Sequence, residues 1–147
     1  MYKRILVATD GSDLSEKAIN SAIDLALLAG SELVALKVIA PAAVSYWEGT
    51  TRNEVQDSSH LDEVHEEAGR AIVQAVKEAA EQRSVKAQAI TVKSDLVAES
   101  IVAAAQKYDC DLIVMASHGR RGINRVLVGS ETLNVLTQSK IPVLVLR

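Results

Sequence analysis

Four short apolar runs set the limits on how this chain can fold: residues 5–8, 33–39, 112–115 and 143–146. Apart from Lys37 they carry no charge. Each is too short for a buried helix and too continuous for a strand with one wet face. They therefore read as strands buried on both faces of a sheet. Turn formers or breakers follow the first two: Thr9, Asp10, Gly11 and Ser12, then Ala40 and Pro41. Pro142 precedes the last run; it cannot donate a ladder hydrogen bond, which sends that strand to an edge. A fifth strand is expected at 85–92, where Lys86, Gln88 and Lys93 mark an exposed or edge position.

Helical periods fill the gaps. Leu14, Ala18, Ala22, Leu25 and Ala29 recur on one face, and Gly30 suits the helix end. The longest helix is expected to open at Ser59, with Asp62 at a capping-box spacing and a buried stripe of Leu61, Val64, Ala68, Ala71, Ala75 and Ala79. Asp95 can cap a third helix carrying Val97, Ile101, Ala104 and Tyr108. Residues 42–58 have no clean period and hold Tyr46, Trp47 and Gly49; a long mobile loop is expected there. Five strands alternating with four helices imply an α/β domain spanning residues 1–147, its parallel sheet covered by helices on both faces.

Ligands in such sheets sit beyond the carboxyl ends of the strands, where strand order reverses. The loops after the first and fourth strands carry the residues suited to that task. Residues 111–140 read as a strand ending in Ala116, Ser117, His118 and Gly119. Arg120, Arg121 and Gly122 follow, then Gly129, Ser130 as a helix N-cap and Glu131 in the first turn, with Leu133, Val135 and Leu136 on that helix. Glycine lets backbone amides approach a ligand, and a helix start offers unpaired amides with the positive end of a dipole. This suits an anion. A few charge-assisted hydrogen bonds at about 1.5–3 kcal/mol each could supply the roughly 8 kcal/mol of a micromolar complex. The plainer alternative is a glycine-rich connection between strand and helix. No lysine precedes Ser130, so this is not a P-loop, and GxGxxG is absent.

The net charge of −3 argues against nonspecific nucleic-acid binding. The single cysteine, Cys110, allows no disulfide within the chain and fits a reducing cytoplasm as a buried small residue. The four apolar residues after Arg4 are too few for a signal peptide, and no run approaches a membrane span. His60 and His65 do not form HExxH, so a metal site is not expected. The last run, 143–146, is an unguarded apolar edge, which predicts a two-fold dimer through that strand.

The pattern resembles the universal stress protein family over nearly the whole chain: ILVATDGS at the start, LVALKVIAP at the second strand, and VMASHGRRG, LVGSET and IPVLVLR towards the end. The family's nucleotide-binding members carry G-x2-G-x9-G-[ST]. Gly119, Gly129 and Ser130 match its second half, while Ala116 stands where the first glycine would be. The resemblance implies a sheet of strand order 3-2-1-4-5, dimerisation through the last strand, and a ligand of ATP or AMP type, with magnesium accompanying a triphosphate. Thr9, Asp10 and Val38 would lie against the adenosine, Val38 reading adenine through its backbone. Ala116 and Gly119 would line the ribose. Gly122 would shape the phosphate loop; Arg120 could reach a β- or γ-phosphate, with a solvated arginine as the alternative. Gly129, Ser130 and Glu131 would give amides to the phosphates. Asp10 has the alternative role of capping the turn into the first helix. The function expected is a cytoplasmic, dimeric regulator or sensor. A slow ATPase or autophosphorylating protein, or a nucleotide-free dimerising module, are the alternatives.

Overall fold

The computed structural model describes residues 1–41, 52–119 and 128–147, with side chains from residue 59 onward in the second segment. Five parallel strands form one sheet: β1 (Arg4–Ala8), β2 (Glu32–Ile39), β3 (Ala87–Lys93), β4 (Leu112–Ala116) and β5 (Val143–Leu146). Their order is β3-β2-β1-β4-β5. Four helices lie between them among the described residues: α1 (Asp13–Ala29), α2 (Arg52–Gln82), α3 (Val97–Lys107) and α4 (Ser130–Gln138). This is the doubly wound arrangement expected from the alternation, with the polar β3 at one edge and β5 at the other.

The continuous apolar runs form the middle of the sheet because both of its faces are covered. Ile5, Val7, Leu33, Ala35, Leu112 and Val114 pack with Ala18, Ala22 and Ile23 of α1 and with Val73, Val76 and Ala80 of α2. Leu6, Val34, Leu36, Ile113 and Met115 pack on the opposite face with Ala98, Ile101 and Ala105 of α3 and Val135 of α4. Asp111 clamps the base of the sheet. Its carboxylate accepts the amides of Lys3 and Arg4 at 2.9–3.1 Å, tying the start of β1 to the residue before β4.

Helix α1 ends where expected, at Gly30 with φ 67°; its start is capped by Ser12, read from the sequence only as a turn former, whose side chain accepts the Ser15 amide. Helix α2 does not follow its sequence signals. It begins at Arg52, so part of the expected loop is helical; residues 42–51, Trp47 among them, lie outside the described residues. The helix runs straight through Ser59, and Asp62 bonds Lys93 at 3.0 Å instead of closing a capping box. Its buried stripe is also rotated. Gly69, Val73, Val76 and Ala80 face the sheet, whereas Leu61, Val64, Ala68, Ala71, Ala75 and Ala79 are exposed. Two stripes of similar period compete in this alanine-rich helix. Val73 and Val76 remove more apolar area from water than alanines do. Gly69 lets the backbone close onto Ile39, whose side chain a Cβ would meet at 2.6 Å.

Helix α3 is not capped by Asp95. Leu96 occupies the N-cap without a side-chain bond. Helix α4 starts one residue from its expected place: Gly129 is the N-cap (φ −62°, ψ 154°) and Ser130 is the first helical residue. Thr132 and Val135 are buried on α4, while Leu133 and Leu136 are exposed.

Candidate functional site

The site is assembled from the carboxyl ends of β1, β2 and β4. Strand order reverses between β1 and β4, because β2 and β3 lie to one side of β1 and β4 and β5 to the other. Val7 pairs with Val114. Continuing that register sets Asp10 level with Ser117. The two loops that leave these strands therefore diverge from a common point, which opens a crevice.

Beyond β1, the chain turns under its own side chains. Buried Thr9 bonds the hydroxyl of Ser15 at 3.0 Å and accepts the Gly11 amide at 3.1 Å. Asp10 accepts the Ser12 amide through Oδ1 at 2.9 Å, an Asx turn that sets up the Ser12 cap of α1. The alternative role for Asp10 is thus present in full. It does not take the residue out of the site, because Asp10 also lines the crevice.

Beyond β4, two glycines permit close approach. A Cβ on Gly119 would overlap Oδ2 of Asp10, so a side chain there would have to displace the carboxylate. A Cβ on Gly129 would lie 3.2 Å from the Ser117 carbonyl oxygen and 3.3 Å from His118 Cα. The Gly129 amide donates to that same carbonyl at 2.7 Å. It is directed at the protein, a correction to its expected part as a phosphate donor. Thr132 secures α4 from the other side by donating to the Ala116 carbonyl at 2.9 Å. The amides of Ser130, Glu131 and Thr132 belong to the first turn and have no acceptor within the helix.

The result is a cavity of about 520 Å³. Thr9, Asp10, Val38, Ala116, Gly119, Gly129, Ser130 and Glu131 all line it. Arg120 and Gly122 lie outside the described residues. Sequence reasoning missed Leu36, Val97, Ile101 and Met115, which give the cavity apolar walls, and Lys37, which donates to the Val38 carbonyl at 3.1 Å. Val97 and Ile101 stand at helical spacing and read as core. Their exposure to the crevice depends on where α3 begins relative to the sheet. The volume lies within the usual range for small-molecule sites, about 300–1,000 Å³, as does the mix of apolar walls with a few convergent polar groups.

Comparison with known proteins gives this geometry a family. The pattern of the Universal stress protein family matches residues 1–147. Universal stress protein MJ0531 of Methanocaldococcus jannaschii is 33% identical over 147 residues, covering 100% of this chain and 83% of that protein. The solved structure of MJ0577 from the same organism superposes with a TM-score of 0.82 at 30% identity, covering 99% of this chain and 96% of that one. A universal stress protein solved in complex with cAMP superposes with a TM-score of 0.62 at 25% identity, covering 99% and 97%. With a match over its full length, a close relative and a shared doubly wound sheet, the chain belongs to the universal stress protein family.

Proposed function

We propose that this protein is a cytoplasmic regulator of the stress response that binds an adenine nucleotide, ATP or AMP, and acts as a homodimer. The observation that carries the reading is the cavity at the β1–β4 reversal, with apolar walls, a backbone edge at one end and a helix start at the other. Its dimensions and donor set suit a nucleotide. Val38 presents backbone groups at the end of β2, where the edge of adenine would lie, between the side chains of Val97, Ile101 and Met115. Asp10 and Gly119 meet where a ribose would sit; the carboxylate is an acceptor suited to sugar hydroxyls. The amides of Ser130, Glu131 and Thr132, with the Ser130 hydroxyl, would hold phosphate at the positive end of α4. Arg120 and Gly122 would complete the phosphate side, and magnesium would accompany a triphosphate. The universal stress protein solved in complex with cAMP supports an adenine ligand.

The dimer is supported by the sheet edge. β5 pairs with β4 on one side. Leu144 on β5, and Leu133 and Leu136 on the neighbouring α4, are exposed apolar side chains. A second copy related by a two-fold axis would cover them and extend the sheet. No described helix is long and apolar enough to cross a membrane.

Calorimetry with ATP, AMP and GTP tests the reading. Micromolar binding of an adenine nucleotide, with GTP weaker, is the expected result. No heat and no thermal shift with any adenine nucleotide would reject it and favour a nucleotide-free dimerising module.

A further inference from the structure

One carboxylate in the cavity is placed between two helix starts. Leu96 gives α3 no side-chain cap. The Ala98 amide in the first turn of α3 is instead bonded by the Glu131 carboxylate, which reaches across from α4 at 3.2 Å. Glu131 stands in the first turn of α4 and lines the cavity. Its charge therefore lies within reach of the positive ends of both dipoles, where a ligand anion would otherwise be drawn.

The other charges of the described lining do not offset it. Asp10 is a second carboxylate, and Lys37 is the basic side chain. Lys37 is on β2, two strands from β4, and its ammonium donates to the Val38 carbonyl at the opposite end of the cavity. A phosphate tail entering along α4 would thus meet three first-turn amides and, beside them, a fixed negative charge. The amides can satisfy one phosphate. Each further charge on the tail adds repulsion from Glu131 without adding a first-turn amide of α4.

We propose that Glu131 is a specificity-determining residue that penalises each added negative charge on the ligand's tail, biasing the site towards adenosine compounds of lower charge. The inference rests on the nucleotide reading above and refines its ligand class.

Calorimetry on wild type and Glu131→Gln, with adenosine, cAMP, AMP and ATP at low salt and without divalent cations, tests it. Glutamine keeps an acceptor for the Ala98 amide and removes the charge. The ATP-to-adenosine affinity ratio is expected to rise about tenfold in the variant, the AMP-to-adenosine ratio about threefold, and the cAMP ratio least. Both gains should shrink towards 1 M salt. Glu131→Ala loses the Ala98 bond as well as the charge. It should melt lower yet show the same gain in the ATP ratio, which separates charge from capping. An unchanged ATP ratio in both variants would overturn the proposal. So would a gain in Glu131→Ala alone, which would trace selectivity to the position of α3. Failure of all four ligands to bind either protein would instead overturn the nucleotide reading itself.

Discussion

Replacing Gly119 with alanine tests the closest contact in the site. A Cβ built there overlaps Oδ2 of Asp10 and lies 3.4 Å from its Cγ. The carboxylate must rotate or the loop must retreat. Rotation strains the bond from Oδ1 to the Ser12 amide, now 2.9 Å, which sets the turn into α1. Losing a bond of this kind costs about 1–2 kcal/mol, and residual crowding adds about 1 kcal/mol. A penalty of about 2 kcal/mol would lower the melting temperature by about 4–8 °C at this chain length. Asp10→Ala alone should cost about 1–2 kcal/mol through the same lost bond. In that background the added methyl group has room, and Gly119→Ala should cost less than about 0.5 kcal/mol. Urea denaturation of the four proteins closes a double-mutant cycle with an expected coupling of about 1.5 kcal/mol. Strictly additive penalties would show that Asp10 is not what requires glycine at 119.

Asp111 makes stability depend on pH. Burial would raise its carboxyl pKa, but the amides of Lys3 and Arg4 outweigh that and hold it below the ordinary carboxylate value. Its contribution is therefore complete above the unfolded-state pKa, near 3.9, and is lost as pH falls through the folded one. Asp111→Asn should cost about 1–2 kcal/mol near neutrality, with the gap to wild type closing below about pH 3 in chemical denaturation. Burial pushes the Cys110 thiol up to about 11, so native protein should react with a thiol reagent at pH 8 far more slowly than protein in denaturant. Leu144→Lys at the exposed edge of β5 should turn a dimer into a folded monomer in sedimentation; an unaltered dimer would place the interface elsewhere.

The sheet was legible because its evidence is local. Residues 5–8 and 112–115 need no partner to read as doubly buried strands, and Lys86 and Lys93, just before and at the end of β3, mark an edge by themselves. Gly30 likewise announces the end of α1. Where sequence reading went wrong, the deciding interaction was not local. The face of α2 turned on how closely Gly69 can approach Ile39 on β2, which no count of apolar periods contains. The cap of α3 comes from Glu131, 33 residues further on, so Asp95 looked like the better candidate. The start of α4 moved by one residue because Gly129 must lie against Ser117 and His118, and its carbonyl then accepts the Leu133 amide at 3.0 Å.

The candidate site divides along the same line. Glycine at 119 and 129 is visible in the sequence as flexibility, and flexibility alone suggests a phosphate cradle. In the structure both positions are small because something already occupies the space a side chain would take: the Asp10 carboxylate in one case, the Ser117–His118 backbone in the other. These contacts fix the distance between β1's turn and α4's start, and so the width of the cavity. A larger residue at either position would change that width before it changed any donor. The glycines thus act first as spacers between two strand ends. Among the described residues, the first-turn amides of α4 with no acceptor in the helix are those of Ser130, Glu131 and Thr132, one residue beyond where the motif alone would place them.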